Sequence, residues 1–450
     1  MMELLVCKFG GSSVATSERL KKIVTIIRQD TRRRCIVLSA PGKAKEYPKK
    51  ITDLLIEAAT LVLSKGNYTD IISVIKKRYH SLYTPLSLDP DQINTECAII
   101  DERCSSSIDH PEKLRDSIVA LGEDLNCRLF TKYLNSIGMK AEYINPKNAG
   151  LVVTPSFGDA QPLPESAFNM ACLKTICADR IIIFPGFFGY TNDGDIATFN
   201  RGGSDLTGSL LAEALDATEY ENWTDVDGIL CAHPETIDHP RQIAALTYKE
   251  MRELSYMGFN VFHEEAVRPV MRKKIPIRLR NTNNLQNSGT LIVTERLPSE
   301  NDVIGVASSS NYCSFTLQKF LMNREKGFGR RLLAIFEDMG LSYEHCPSGV
   351  DNISVILNQT QLKSEVVNAI IRKIEVELQP DEIRSEFGIS LVSVVGEGLI
   401  HKIGFLAKAT NALSEAGVNI KMVNQGSSEM SIIFGIDSTD EKKAVQSLYQ

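Results

Sequence analysis

The sequence predicts an α/β protein in which a mainly parallel sheet lies between layers of helices, followed by a smaller, duplicated α/β region. Continuous apolar runs, typical of buried parallel strands, occur at residues 4–9, 34–40 and 180–184. Helical patterns separate these runs, and strands that alternate with helices favour an α/β sandwich. A shift to serine, asparagine and proline at 296–311 marks the boundary before the duplicated region.

Length and composition exclude two classes of partner. Of the 450 residues, 43% are hydrophobic and 24% are charged, so the chain can bury a substantial core in two or three domains. A formal net charge of -6 argues against nucleic acid as the main partner. No apolar run reaches the roughly 18 residues that a membrane span needs, so we expect no membrane partner.

The ten cysteines indicate a reducing compartment. They include no Cys-x-x-Cys pair, and Cys7, Cys35 and Cys231 stand inside apolar runs. Such residues are typical of the reduced core of a cytoplasmic protein, not of a disulfide framework or a zinc site. Because Glu3 leads directly into a strand, we also expect no signal peptide.

The other elements are predicted from the period of their apolar residues and from turn residues at their ends. The first helix, at 17–30, carries Leu20, Ile23, Val24 and Ile27 on one face. The same reasoning predicts further helices at 52–64, 68–83, 91–107, 112–136 and 206–215, and further strands at 140–144, 151–154, 219–224, 275–280 and 291–295.

The first strand ends in a lysine and two glycines. Lys8 is followed, after one residue, by Gly10, Gly11 and Ser12. Glycines before a helix let the backbone approach an anion, and the free N–H groups of the helix start favour negative charge. The segment is neither a Gly-x-x-x-x-Gly-Lys-Ser/Thr loop nor a Gly-x-Gly-x-x-Gly fingerprint.

A second glycine segment, Arg201-Gly202-Gly203-Ser204-Asp205, precedes the helix at 206–215. We predict Ser204 or Asp205 as the N-cap of this helix. The arginine could hold a carboxylate or phosphate through two hydrogen bonds. Taken alone, the segment fits an ordinary loop-to-helix turn equally well. Both glycine segments follow predicted strands, whose carboxyl ends meet at one edge of a parallel sheet. We therefore expect one cleft for substrates with several negative charges.

Three motifs together resemble those of aspartokinases, members of the amino acid kinase family. They are Lys8-Phe9-Gly10-Gly11-Ser12-Ser13-Val14, Arg201-Gly202-Gly203-Ser204-Asp205 and Trp223-Thr224-Asp225-Val226-Asp227, in the family's order. The resemblance covers essentially the whole chain. It implies a three-layer αβα sandwich of the amino acid kinase type and transfer of the ATP γ-phosphate to the β-carboxylate of L-aspartate. That reaction is the first step of lysine, threonine and methionine biosynthesis.

The resemblance also assigns roles around aspartate. Lys8 neutralises phosphate oxygens in the transition state and Asp205 orients it, while Glu123 pairs with the α-amino group of the substrate. The remaining residues implied to contact substrate are Ser39, Thr52, Arg201, Gly202 and Ser204. Aspartate is already ionised at pH 7, with an intrinsic side-chain pKa of about 3.9, so the reaction needs no general base. Positioning and positive charge remain as the sources of catalysis.

For ATP, the resemblance implies Gly10, Gly11, Ser12, Thr224, Asp225, Asp227, Leu230 and Asn260, besides Lys8. Two departures remove positive ATP contacts of the family. Glu235 stands where many members have arginine, and Asn260 where many have lysine. Arg268, Lys273 or Lys274 could substitute. Mg²⁺ is expected on the ATP phosphates, held mostly by water and phosphate oxygens, and no protein ligand is assigned.

An internal repeat occupies the C-terminal third. Gly327-Phe328, Gly340, Gly349 and Ser354 recur 77 residues later as Gly404-Phe405, Gly417, Gly426 and Ser431. The copies resemble ACT domains, which implies a pair of ferredoxin-like βαββαβ modules that bind a regulatory amino acid. We predict a catalytic domain at 1–296, a linker at 297–312, and ACT domains at 313–386 and 387–450.

By this resemblance the first copy binds an inhibitory amino acid across a homodimer or homotetramer interface. Lysine is the expected effector, with threonine as alternative or co-effector, and Glu325, Glu344 or Asp351 could accept the lysine ammonium. The residues implied to bind it are Met322, Glu325, Gly327, Phe328, Gly329, Ser342 and Glu344.

Three other interpretations remain open. The chain could be a different amino acid kinase, although those relatives do not combine the Lys8 motif with a tandem ACT tail. It could be a catalytically impaired amino-acid sensor, as Glu235 and Asn260 would allow. A purely structural oligomerisation protein would leave Lys8, Arg201 and Asp205 without a purpose.

Overall fold

The structure is a computed structural model that describes residues 3–107, 110–200, 202–259, 262, 264–296 and 303–450. The chain divides into two units. The first contains Met1–Ile229, Gln242–Tyr248 and Asn260–Arg296, and the second contains Leu230–Arg241, Lys249–Phe259 and Leu297–Gln450.

An eight-stranded sheet forms the centre of the first unit, in the order β3-β4-β2-β1-β7-β9-β10-β8. Six strands are parallel, and β10 and β8 run in the opposite direction. A separate hairpin, β5–β6, completes the strands of this unit. Their bounds are β1 Leu5–Phe9, β2 Arg33–Leu38, β3 Ala141–Tyr143, β4 Ile181–Pro185, β5 Phe188–Tyr190, β6 Ile196–Thr198, β7 Glu219–Thr224, β8 Ala245–Thr247, β9 Ile277–Asn281 and β10 Thr290–Val293.

The helices up to residue 272 have the bounds α1 Ser17–Gln29, α2 Ile51–Leu63, α3 Thr69–Tyr83, α4 Pro90–Cys104, α5 Pro111–Val119, α6 Leu121–Ser136, α7 Pro146–Ala149, α8 Glu165–Met170, α9 Leu173–Asp179, α10 Gly203–Ala214, α11 Tyr248–Tyr256 and α12 Glu264–Arg272. Helices α1 to α6 contribute their apolar faces to one core that also contains Cys7 and Phe9, on one face of the sheet. Helix α10 covers the other face, with Gly208 against the ring of Tyr220. The predicted three-layer sandwich is confirmed.

Two predicted elements differ from the structure. The helix predicted at 112–136 is two helices, α5 and α6, that meet at Ala120. Ala120 keeps helical dihedral angles, so the apolar period continues across the junction and cannot reveal it. The strand predicted at 151–154 makes only isolated bridges, from Val152 to Tyr190 and from Val153 to Pro162.

The second unit contains a five-stranded antiparallel sheet in the order β12-β11-β13-β15-β14. The predicted repeat is confirmed, since Gly327 and Gly404 both have positive φ and both precede a helix of 11 residues. The bounds are β11 Gly305–Gln318, α13 Phe328–Asp338, β12 Asn352–Asn358, α14 Ser364–Leu378, β13 Glu382–Val395, α15 Phe405–Glu415, β14 Ile420–Asn424, β15 Ser431–Asp437 and α16 Glu441–Tyr449.

The linker predicted at 297–312 is wrong from Gly305 onward, because β11 begins there. Residues 297–302 lie outside the described residues. The serines at 308–310 belong to the strand, and Ser308 donates a hydrogen bond to Glu441 at 2.7 Å, so a polar composition was mistaken for a linker. Residues 305–309 pair with the second half of β13. The second copy therefore takes a strand from before the first copy, so the linear order predicted for the two domains is incomplete.

The β5–β6 hairpin is held by two acidic residues with different surroundings. Asp116 is fully buried, and its carboxylate accepts the N–H groups of Thr198 at 2.7 Å and Gly158 at 2.8 Å. Asp195 is partly exposed and pairs with Lys113 at 2.6 Å. A buried carboxylate with two backbone donors stabilises more than an exposed ion pair.

We predict that Asp116→Ala lowers the free energy of unfolding of the first unit by about 2–4 kcal/mol, because the buried N–H of Thr198 and the partly buried N–H of Gly158 lose their acceptor. Asp195→Ala should lower it by only about 0–1 kcal/mol. Urea unfolding followed by fluorescence reports on this unit, because its Trp223 is the only tryptophan of the chain. Equal losses in the two variants would contradict the assignment.

Candidate functional site

The candidate site lies where the central parallel strands end. The register places Phe9 of β1 beside Leu38 of β2 and Trp223 of β7. It also places Leu38 beside Pro185 of β4. Loops that follow these strands therefore meet at one edge of the sheet, as ligand sites of parallel sheets do.

Lys8 lies at this edge of the sheet, near the end of the central strand β1. Its side chain is 10% exposed, and its Nζ lies 2.5 Å from Oδ1 of Asp205 in the first turn of α10. Asn222, which stands beside Lys8 in the register, donates from Nδ2 to the same oxygen at 2.8 Å. Alternation along a strand turns Lys8 and Asn222 to the face that α10 covers. Two donors thus converge on one carboxylate.

The start of α10 differs from the prediction. Gly202, with φ of 80°, is the N-cap residue, and no side chain caps the helix. Ser204 and Asp205 lie inside the first turn, so the N-cap prediction is wrong for both. Asp205 instead pairs its carboxylate with Lys8. Ser204 packs closely against Gly186, since a Cβ on that glycine would lie 2.6 Å from Ser204 Oγ. Arg201 lies outside the described residues.

The first glycine segment bends back over the end of β1. Gly10 donates its N–H to the carbonyl of Trp223 at 3.3 Å, and a Cβ on Gly10 would lie 3.6 Å from Lys8 Nζ. A short 3-10 helix follows at Gly11–Val14. The first N–H groups of such a helix have no partner within it, so Gly11 and Ser12 are placed to donate beside the amine of Lys8.

The residues next to Ser39, Thr52 and Glu123 meet, since a Cβ on Gly122 would lie 2.8 Å from Ala40 Cβ and 3.4 Å from Ile51 Cγ2. Ala40, next to Ser39, donates its N–H to Oε1 of Glu123 at 3.0 Å. Thr52 stands in the first turn of α2, whose Ile51 N–H bonds to the carbonyl of Pro41. Ser39 and Thr52 are half-buried.

Glu123 is a buried carboxyl group with one free oxygen. The residue is 4% exposed, and its Oε2 has no hydrogen-bond partner. Burial raises the pKa of Glu123 to about 8, although the N–H of Ala40 acts in the opposite direction. A cation beside Oε2 would restore the charged form, so the arrangement suits an ammonium group of a ligand.

Three further residues predicted for ATP, Thr224, Asp225 and Asp227, lie at or just after the end of β7. Asp227 is fixed by the amides of Asn281 at 2.8 Å and Asn284 at 3.1 Å. Thr224 accepts the N–H of Thr282 at 2.9 Å through its carbonyl, and its hydroxyl donates to the exposed Asp225 at 3.2 Å.

Two other predicted ATP residues cannot be placed beside these. Leu230 belongs to the second unit. Asn260 lies outside the described residues. The prediction that Lys273 could substitute for a missing cation at the ATP site is wrong. Its amine pairs at 2.7 Å with Asp216, beyond the C-terminal end of α10 and thus at the end opposite Asp205.

In the second unit, the residues predicted to bind an effector form two groups. Met322, Glu325, Gly327, Phe328 and Gly329 follow β11, and Glu325 pairs with Lys319 at 2.7 Å and with Arg331. Ser342 and Glu344 follow α13, with Ser342 bonded to Gln361 and Glu344 bonded to Tyr256.

The two groups lie far apart in one chain. The N–H of Glu344 bonds to Ile356, which pairs with Ser314, whereas the first group follows Gln318. Four residues of strand separate Ser314 from Gln318, or about 13 Å. The two groups therefore lie near opposite ends of α13. Asp351, the third carboxylate considered, has a buried Oδ1 without a partner.

Sequence reasoning missed Asn222 and Asn281, which orient Asp205 and Asp227. A signal existed, because both are uncharged polar residues at or near the ends of predicted strands that lead to this sheet edge, and both are buried. Within the described ranges, no cluster of three or more His, Cys, Asp or Glu side chains is placed to hold a metal ion. No described helix is long and apolar enough to cross a membrane.

We predict that Glu123→Gln becomes progressively more stable than wild type as pH rises. The raised pKa means that the folded state binds more protons than the unfolded state between about pH 4.5 and pH 8, so wild type loses stability over this range. The difference should grow by up to about 1.4 kcal/mol per pH unit. Urea unfolding at several pH values measures it.

Glu142→Gln is the matched control, since its partly exposed carboxylate lies 3.6 Å from Arg180. Its stability difference from wild type should change little with pH. A pH-independent difference for Glu123→Gln as well would show that the carboxyl is not a buried, protonated group.

Comparison with known proteins agrees with this geometry. A sequence model of the amino acid kinase family matches residues 3–281, and one of the ACT domain matches residues 392–450. Aspartokinase 3 of Bacillus subtilis (strain 168) is 46% identical over 99% of this chain and 98% of its own length. Lysine-sensitive aspartokinase 3 of Escherichia coli (strain K12) is 26% identical over 100% and 99%.

A solved structure is also similar over the whole length. The crystal structure of Clostridium acetobutylicum aspartate kinase matches with a TM-score of 0.89 and 38% identity, over 99% of both chains. Fold, motifs and full-length similarity thus point the same way. The chain belongs to the amino acid kinase family and, within it, to the aspartokinases with C-terminal ACT domains.

Proposed function

We propose that the chain is an aspartate kinase, which transfers the γ-phosphate of ATP to the β-carboxylate of L-aspartate and so supplies 4-phospho-L-aspartate for lysine, threonine and methionine biosynthesis. The observation that carries this proposal is the Lys8–Asp205 pair at the end of β1, together with the free oxygen of Glu123, whose other oxygen accepts the N–H of Ala40 after β2. It offers a fixed cation for phosphate and an anion for an α-ammonium within one strand-end site.

Aspartate is held by its charged groups. Glu123 pairs through Oε2 with the α-ammonium, which provides the partner that this buried oxygen lacks. Ser39 and Thr52 offer hydroxyls beside it. Arg201 remains the residue expected, by resemblance, to hold a carboxylate of the substrate. These contacts leave the β-carboxylate free to approach the phosphate.

Phosphoryl transfer then requires that two anions meet. A β-carboxylate oxygen forms a bond to the γ-phosphorus while the bond from phosphorus to the β,γ-bridging oxygen breaks, and ADP leaves with that oxygen. Lys8 neutralises charge on the transferring group, and Asp205 with Asn222 keeps its amine aimed at the site. Because the nucleophile is already ionised, no proton has to be removed.

ATP is expected to bind as its Mg²⁺ complex. Phosphate oxygens and water suit the octahedral demand of Mg²⁺, so the ion needs few or no protein ligands. Gly10, Gly11 and Ser12 are assigned to the phosphates, and Thr224, Asp225 and Asp227 to the nucleoside. We place the enzyme in the cytoplasm, because its ten cysteines are unpaired and eight of them are buried.

We predict that Lys8→Met lowers kcat by about a thousandfold or more, since a preorganised charge at the transition state is lost. Asp205→Asn should lower kcat by about 10- to 100-fold, because the amine is retained but no longer held. Formation of aspartyl phosphate is measured by trapping with hydroxylamine. Lys140→Met, which removes an exposed lysine paired with Asp179 before β3, is the control and should retain wild-type kinetics.

The same assay separates enzyme from sensor. A wild-type protein that binds lysine but forms no trapped product with ATP and aspartate would favour the catalytically impaired sensor. Acetylglutamate or glutamate as the preferred acceptor in this trap, or ADP formation that depends on uridylate, would favour another amino acid kinase. Wild-type kcat in Lys8→Met would overturn the assigned role of the lysine.

We further propose that lysine inhibits the enzyme at an interface of two ACT copies, in a homodimer or homotetramer, with threonine as alternative or co-effector. The separation of the two residue groups in one chain supports a shared site, in which one chain supplies the Phe328 segment and the other supplies Ser342 and Glu344. Glu325 is already paired with two cations, so Asp351 is the better acceptor for the lysine ammonium.

We predict that Asp351→Asn raises the lysine concentration for half-inhibition by about tenfold or more, because the amide cannot pair as an anion. Asp338→Asn, at a largely exposed aspartate 3.8 Å from Lys373, should leave it unchanged. Steady-state assays with each amino acid added provide the measurement. Equal insensitivity of wild type to lysine and threonine would remove the proposal.

A further inference from the structure

Arg78, in the middle of α3, belongs to none of the sequence motifs, yet its guanidinium reaches the candidate site. The residue is 4% exposed. Its Nη2 donates to the carbonyl of Ala15 and, at 3.4 Å, to the carbonyl of Gly42. Its planar group also lies over the ring of Tyr47, 4.4 Å from the ring centre.

The burial of this charge is unusual. Among the residues that the structure describes, no ion pair joins the Arg78 guanidinium to a carboxylate. Burial lowers its pKa, and the nearby Tyr47, Tyr79 and Glu46 act more weakly in the opposite direction. The other buried arginine near the sheet, Arg33, is instead paired with Glu221 at 2.7 Å. Burying a guanidinium without pairing it with a carboxylate lowers the stability of the folded chain. The partners of its hydrogen bonds therefore indicate why the residue is there.

Each partner belongs to a segment beside the phosphate-binding glycines. Ala15 is the C-terminal cap of the short helix Gly11–Val14. Gly42 donates its N–H to the carbonyl of Gly11 at 2.9 Å, and a Cβ on Gly42 would lie 2.7 Å from the backbone carbon of Gly11. The two segments are thus in direct backbone contact, and one guanidinium bonds to both.

The third partner of Arg78, Tyr47, belongs to the lysine-rich loop. Tyr47 stands among Lys43, Lys45, Lys49 and Lys50, between Ser39 and Thr52. The stacking of Arg78 on Tyr47 holds this loop against α3, and it is the type of contact that arginine makes better than lysine.

We propose that Arg78 is a positioning residue for phosphoryl transfer, which fixes the Gly10–Ala15 segment, the Gly42 turn and the Tyr47 loop as one body around the ATP phosphates. This inference rests on the proposed assignment of ATP to the glycine segment. Arg78 contacts no reacting atom. It acts through Ala15 and Gly42, and so determines where Gly11 and Ser12 present their N–H groups beside Lys8.

The test compares Arg78→Met and Arg78→Lys with two further variants. Arg278→Met is the matched control. It removes a guanidinium that pairs with Glu219 at 2.9 Å near the N-terminal ends of β7 and β9, whereas the candidate site lies at their C-terminal ends. Tyr47→Leu removes the stacking face without leaving a buried charge, so it keeps the test valid if Arg78→Met fails to fold. Calorimetry measures the affinities for ATP and for adenosine, which has no phosphates.

Arg78→Met should weaken ATP binding by about tenfold or more, and Arg78→Lys and Tyr47→Leu by about threefold, while adenosine binding stays within about twofold of wild type. The KM for aspartate should also stay within about twofold in all four variants. Arg278→Met should bind both ATP and adenosine as wild type does.

Two results would overturn the inference. If Arg78→Met binds ATP as tightly as Arg278→Met does, and only its unfolding midpoint is lowered, Arg78 is a structural residue. Equal losses for ATP and adenosine would place its effect outside the phosphate site. Failure of the wild type to form aspartyl hydroxamate would instead remove the proposed reaction, and the comparison of ATP with adenosine would still decide the role of Arg78.

Discussion

The ion pair between Lys8 and Asp205 is the interaction on which the candidate site depends. It joins the end of the central strand to the start of α10, and Asn222 from the neighbouring strand completes it. Burying a lysine is costly unless its amine is paired, and the pair must keep one orientation. The parallel register supplies that orientation, because it aligns Lys8 with Asn222 and brings both to the face of the sheet that α10 covers.

Around this pair, the site keeps buried polar groups whose pairing is incomplete. Glu123 has an oxygen without a donor, and Arg78 is a guanidinium without a carboxylate. Such groups reduce the stability of the folded chain, and they persist where function or geometry requires them. In the proposed reaction the first receives the substrate ammonium, and the second holds the backbone that faces the phosphates. Aspartate thus supplies, in that reaction, the partner that Oε2 of Glu123 lacks.

The sequence predicted the layers of the sandwich, the repeat and the Lys8 and Asp205 motifs, because apolar periods and glycines report on local structure. Local propensity favoured an N-cap role for Asp205, and only the family resemblance predicted that it orients Lys8, because local patterns do not report on partners far away in sequence. Arg78 was missed for the same reason, because its partners come from three separate segments. The start of β11 resembled a linker, since the serines at 308–310 and Asn311 stand within this strand.

The most direct test of the account is a crystal structure of the enzyme with aspartate and a non-hydrolysable ATP analogue. We expect Lys8 Nζ within about 3.2 Å of a γ-phosphate oxygen, with the β-carboxylate of aspartate in line with the bond that breaks. The Oε2 of Glu123 should contact the α-ammonium. Phosphates bound elsewhere, with Lys8 still directed only at Asp205, would contradict the central claim.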